Sequence, residues 1–153
     1  MAKRIRLVYL VSTVGQTGPT KQLYGLVKHL DRDTFEAEIV TLSSNPLENL
    51  STAFTNLGIE ITSLDLPRIS SVLFGNKKLG KILGRLKPDV LHSQGMRADY
   101  LCATLNTYPV RIATQRNNPH DDYPALYGTL AGWLAARFHY HALSKIPTVV
   151  ACS

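Results

Sequence analysis

Apolar residues along the chain follow two different periods in alternation. Short runs at Ile5–Val11, Ala37–Leu42, Ile59–Leu64, Val90–His92, Val110–Thr114 and Thr148–Cys152 read as strands. Several are apolar throughout instead of at every second position, which is the pattern of parallel strands covered on both faces. Between the runs, apolar positions recur at helical spacing. Leu23, Leu26, Val27 and Leu30 form one stripe. A second is Leu47, Leu50, Phe54 and Leu57, with Asn45 as N-cap, Pro46 at the first helical position, Glu48 completing a capping-box-like start and Gly58 ending the helix. Further helices are predicted about Asn76–Lys87 on Leu79, Ile82, Leu83 and Leu86, and about Met96–Asn106 on Ala98, Leu101, Cys102 and Leu105. A longer one is predicted from near Pro124 on Leu126, Leu130, Trp133 and Leu134. The least regular stretches are Pro67–Gly75 and Arg116–Tyr123.

Strand and helix in strict succession imply right-handed crossovers and one open sheet. The predicted fold is α/β, a Rossmann-like three-layer α/β/α domain with a parallel sheet of about six strands. In such sheets ligands sit beyond the carboxyl ends of the strands, and three predicted strand ends carry polar residues suited to that place. The first strand runs into Ser12-Thr13-Val14-Gly15-Gln16-Thr17-Gly18, where Gly15 and Gly18 let the backbone approach a ligand and Pro19 opens a helix. N–H groups at that helix start, with the positive dipole end, attract phosphate. A plain tight turn is the competing reading. The two glycines do not make a dinucleotide fingerprint, and no acid ends the second strand to hold a ribose.

The fourth strand ends in His92-Ser93-Gln94-Gly95, with Arg97 in the next helix, and the fifth in Thr114-Gln115-Arg116-Asn117-Asn118. A guanidinium at a strand end offers planar, multi-donor recognition of an anion. For Arg116 the alternative is an ion pair with Asp121 or Asp122, for Arg97 solvation, and for His92 a hydrogen bond across the sheet top.

Composition changes this picture modestly. The 153 residues fit one domain, and 44% hydrophobic with 18% charged content is globular. A net charge of +6 favours anionic partners. Cys102 and Cys152 fall in apparent core segments and read as buried, reduced thiols, which predicts a cytoplasmic setting. No secretory signal is visible, and nothing approaches the roughly 20 apolar residues of a membrane span. His120-Asp121-Asp122 are consecutive in a Pro-flanked loop and are not expected to converge on a metal ion. Lys77, Lys81 and Arg85, with Lys78 and Lys87 beside them, make one helix face basic. That face is either simply solvated or meets an anionic membrane surface, at about 1 kcal/mol per basic side chain. Nucleic acid is not expected, because no aromatic residues interleave with the basic ones.

The strings RIRLVYLVSTVGQTGPTKQLYGLVKHL, KPDVLHSQGMRADYL, IATQRNNP and VVACS, in this order and spacing, resemble the N-terminal lobe of family-4 retaining glycosyltransferases of GT-B architecture. The resemblance covers essentially the whole chain. It implies that residues 1–153 form the acceptor-side domain, that a C-terminal donor-binding domain lies outside this chain, and that the chain alone is inactive. It implies a nucleotide-diphosphate sugar as donor, a glycan or lipid-linked acceptor, and no metal or other cofactor. The Gly15–Gly18 loop would approach the donor diphosphate, with Thr17, His92, Gln94, Arg97, Arg116 and Asn117 as further donor or acceptor contacts. Many relatives carry H-x-H where this chain has His92-Ser93-Gln94, and a histidine where it has Arg116, so His92 and Arg116 are both candidates for assisting transfer. The expected location is cytoplasmic, peripheral on the inner face of the membrane, with Lys77, Lys78, Lys81 and Arg85 toward lipid. Two other classes remain open: a non-catalytic membrane- or partner-binding α/β module, and a lobe of a nucleotide-sugar epimerase.

Overall fold

The computed structural model describes residues 3–67, 70–108 and 110–152, the side chains of 70–74 excepted. Its elements run β1 (Ile5–Val11), α1 (Gly18–Lys28), β2 (Phe35–Thr41), α2 (Ser51–Asn56), β3 (Glu60–Ser63), α3 (Ser70–Leu86), β4 (Val90–Gln94), α4 (Met96–Thr104), β5 (Arg111–Gln115), α5 (Pro119–Tyr127), α6 (Thr129–Leu143) and β6 (Thr148–Ala151). The six strands form one all-parallel sheet in the order β3-β2-β1-β4-β5-β6. This is the Rossmann-like α/β architecture that the alternating pattern predicts.

Alternation along β1 builds two cores. Leu7, Tyr9 and Val11 pack with Leu23 and Val27 of α1 and Phe54 of α2 on one face. Val8 and Leu10 pack with Leu79 and Leu83 of α3, Leu101 of α4 and Leu143 of α6 on the other. Burial on both faces is why these strands lack a polar side.

The helices depart from the sequence pattern in four places. The segment from Asn45 to Leu50 is not helical. Asn45 Oδ1 accepts the Val14 N–H (2.9 Å), the Leu50 N–H reaches Val14 O (2.9 Å), and Gly15 bridges to Asn49. The capping chemistry is spent on tying this segment to the glycine loop, and Leu47 is left fully exposed.

Helix α3 starts at Ser70, within the stretch read as irregular, whose Arg68 and Ile69 lie outside the described residues. Gly75 sits inside that helix because a Cβ there would meet Leu101 Cδ2 at 2.9 Å. It marks a close approach of α3 to α4, not a turn.

The long final helix is two helices. Asn118 caps α5, its Oδ1 accepting the His120 N–H (3.2 Å), with Pro119 at the helix start. That cap and proline together outcompete Pro124, which lies inside α5. Gly128, at φ +81°, then separates α5 from α6.

The apolar stripe of this region faces outward. Leu126, Leu130, Trp133 and Leu134 are 46–74% exposed, whereas Gly132, Ala136, His139, Ala142 and Leu143 are buried. Close packing decides this: a Cβ on Gly132 would lie 2.3 Å from Pro124 Cα, so only small residues fit where α6 crosses α5.

Candidate functional site

Strand order reverses between β1 and β4, so their connections leave toward opposite faces and a crevice opens at their carboxyl ends. A cleft of about 730 Å³ occupies it, walled by the start of α1, the ends of β1, β4 and β5, and parts of α5 and α6. Of the residues singled out in the sequence, Thr17, Gly18, Gln94, Arg116 and Asn117 line this cleft. His92, Gly15 and Arg97 do not.

Arg116 dominates the electrostatics. Its Nε donates to Gln22 Oε1 (2.5 Å) and its Nη2 to Gln94 Oε1 (2.9 Å), so the guanidinium is held by two neutral amide oxygens. Among the described residues no carboxylate lies within ion-pair distance of it. The sequence alternative, a pair with Asp121 or Asp122, is not formed; Asp121 instead accepts from Asn118 Nδ2 (2.5 Å) at the start of α5. Burial draws the Arg116 pKa down, though the group stays cationic. Turning Oε1 of Gln94 toward the guanidinium points its Nε2 the other way, where it is buried without a partner. An unpaired buried donor beside a cation is costly unless an acceptor arrives.

The α1 start supplies less than its sequence suggests. Thr17 is the N-cap and its Oγ1 accepts the Thr20 N–H (3.4 Å); the Lys21 N–H goes to Thr17 O (3.0 Å), and Pro19 has none. In that first turn the Gly18 N–H is therefore the donor left for a ligand. Gly15 plays a different part, since a Cβ there would sit 2.9 Å from Pro46 Cγ. It lets the two loops pack.

His92 lies one residue pair below Gln94 on the same sheet face, as the partners Tyr9↔His92 and Val11↔Gln94 show. Its ring packs on Tyr9 (5.1 Å) and its Nε2 pairs with Thr114 Oγ1 (2.7 Å), which does line the cleft. Burial first, and repulsion from Arg116 second, push its pKa down to about 4. It is a neutral imidazole at pH 7. Arg97 donates through Nη2 to Ser43 Oγ (3.0 Å) in a neighbouring cleft of about 760 Å³ that also includes Ser44 and Asp65. The two clefts share Ser12 and Thr13.

The cysteines divide. Cys102 is buried, and burial pushes its thiol up to about 11. Cys152, expected to be buried, is exposed on the cleft wall, and its Sγ accepts from Gln22 Nε2 (3.7 Å). Among the described residues β6 is an edge strand, with no further strand to cover its end. On α3, Lys77, Lys81 and Arg85 are exposed opposite buried Leu79 and Leu83. Lys78 donates to Leu64 O, which ties down one member of that basic face.

Sequence reasoning missed a buried polar line ending at the cleft, formed by Ser93, Asp99, His139 and Tyr123. One signal was available. Gly132, Ala136, His139 and Leu143 recur at i, i+4, i+7 and i+11, so a histidine shares the face of the small residues rather than that of the large apolar ones.

Comparison with known proteins adds three findings. The family model described as "Glycosyl transferase 4-like domain" matches residues 17–153. No curated protein matches the chain. Among solved structures, the fold resembles UDP-N-acetylglucosamine 2-epimerase from Rickettsia bellii (TM-score 0.55, 15% identity, 97% of this chain and 44% of that one). It also resembles a protein from Listeria monocytogenes described as such an epimerase (TM-score 0.54, 13% identity, 89% of this chain and 37% of that one). The chain thus spans less than half the length of either structure.

Proposed function

Because the chain belongs to the glycosyl transferase 4-like family, we propose that it is the N-terminal, acceptor-side domain of a retaining glycosyltransferase. The full enzyme would move a sugar from a nucleotide-diphosphate sugar to a glycan or lipid-linked acceptor, without a metal ion, with a second domain closing over this cleft. The observation that carries the reading is Arg116, a cation in the cleft held by amide oxygens and next to the unpartnered Nε2 of Gln94. Together with the Gly18 N–H and Asn117, these groups offer donors and positive charge to a diphosphate. As the diphosphate gains charge on leaving, a fixed guanidinium stabilises it more than the ground state. His92 is neutral and set back behind Thr114, so it acts on the cleft through that hydroxyl.

In a full-length protein, Arg116→Ala should lower transfer by about 100-fold with an unchanged melting temperature. Transfer at the wild-type rate would end the assignment. A second reading, a lobe of a nucleotide-sugar epimerase, is favoured by the likeness to the two epimerase structures. Incubating a full-length protein with UDP-N-acetylglucosamine and no acceptor separates them, because only an epimerase converts the sugar in that mixture. Lys77, Lys81 and Arg85 would in either case offer a face to anionic lipid. Co-sedimentation that is equal on neutral and anionic vesicles removes that role.

A further inference from the structure

The polar line behind the cleft has a direction fixed by its members. Asp99 is wholly buried at the start of α4 and accepts at both oxygens, from Ser93 Oγ at Oδ1 (2.6 Å) and from His139 Nε2 at Oδ2 (2.8 Å). With Asp99 as a carboxylate, the Nε2 of His139 carries hydrogen. In the neutral imidazole Nδ1 is then an acceptor, and the group facing it is Tyr123 Oη at 2.8 Å. With that imidazole neutral, the phenol gives its one proton to His139. What Tyr123 retains is oxygen lone pairs. Tyr123 and His139 both line the cleft that holds Arg116 and Gln94. The line begins at Ser93 in the core and ends at a phenol oxygen that can only accept.

The Arg116 guanidinium, Gln94 Nε2 and the Gly18 N–H on this wall are donors, whereas the Thr17 and Thr114 hydroxyls and the Asn117 amide can act either way. We propose that Tyr123 is a specificity-determining residue whose Oη accepts a hydrogen bond from a sugar hydroxyl of the substrate in this cleft. Asp99 and His139 are positioning residues, because they act by fixing which way the phenol proton points. The inference rests on the glycosyltransferase reading for its substrate class. A ligand combining an oxyanion with a hydroxyl matches a wall that holds these donors beside an acceptor of fixed direction. Burial, with Asp99 nearby, pushes the Tyr123 pKa up to about 12, so the group remains a phenol over the whole neutral range.

Two measurements on the chain test this. With 15N-histidine labelling, long-range proton–nitrogen correlation should show His139 protonated at Nε2 and bare at Nδ1. Protonation at Nδ1 overturns the inference, since Tyr123 would then donate into the cleft. This measurement needs no variant and no ligand. The second measurement titrates the wild-type chain and Tyr123→Phe with two probes, inorganic pyrophosphate and methyl α-glucoside. The substitution should weaken the glucoside about tenfold, the loss of one hydrogen bond, and leave pyrophosphate unchanged. A merely structural tyrosine would move the melting temperature but neither dissociation constant. A glucoside that does not bind the wild-type chain, or binds both proteins equally, overturns the role of Tyr123. Failure of pyrophosphate to bind the wild-type chain counts instead against the diphosphate reading of Arg116, so the two failures are distinct.

Discussion

His92 shows how far a residue's type can mislead about its place. A histidine at a strand end invites a catalytic reading, yet its ring lies against Tyr9 and under Gln94, out of the cleft. Its pKa of about 4 against 6.5 unfolded has a consequence for stability. The unfolded chain binds the proton more tightly, so the neutral ring's contribution is complete above pH 6.5 and is lost as pH falls toward 4. The window is worth at most about 3 kcal/mol. Urea titrations at pH 7 and pH 4.5 should show that loss, and His92→Gln, which keeps a polar partner for Thr114, should reduce it. Equal pH dependence in both proteins would place the ring in solvent. Strand-end position made Gln94, Arg116 and Asn117 legible from the sequence, because parallel strands bring their carboxyl ends to one rim. Asp99, His139 and Tyr123 were not legible in that way. Their meeting spans 40 residues and depends on where α6 crosses α4.

At the scale of elements, the sheet followed directly from its apolar runs, because a strand buried on both faces has no alternative use for such a sequence. Helix ends followed less well. Where a cap or proline had a tertiary rival, as Asn45 had in Val14, the tertiary contact won. The α5–α6 pair carries the sharpest case. Gly132 has no left-handed backbone and no turn to make; it is there because Pro124 backbone occupies the space of a side chain. Gly132→Ala should therefore destabilise the chain by about 2–3 kcal/mol despite the better helix propensity of alanine. Gly80→Ala is its control, since nothing lies within 4 Å of a Cβ there, and it should be neutral or stabilising. Denaturant midpoints of the two variants that moved together would mean that α5 and α6 do not cross so closely. Separation of α5 from α6 would also shift His139 relative to Tyr123, so a Gly132 variant that still folds should weaken the cleft as well.

At the scale of the whole molecule, the cleft is a wall rather than an enclosure. Its groups come from the carboxyl rim of one sheet and the helices beside it, with Arg116 as the cation among them. A donor sugar in transit needs contacts on its far side as well, to hold the nucleotide and to exclude water from the anomeric carbon. The chain spans 37% and 44% of the two solved structures it resembles. The expectation is a separation of binding from turnover. Residues 1–153 should fold cooperatively and bind pyrophosphate in a manner abolished by Arg116→Ala, yet transfer no sugar from any nucleotide-sugar to any acceptor. Adding a separately expressed donor-binding domain, at concentrations that permit association, should then restore activity only when Arg116 is intact. Sugar transfer by the isolated chain would mean that this one rim already surrounds its substrate, and the two-domain reading would have to be abandoned.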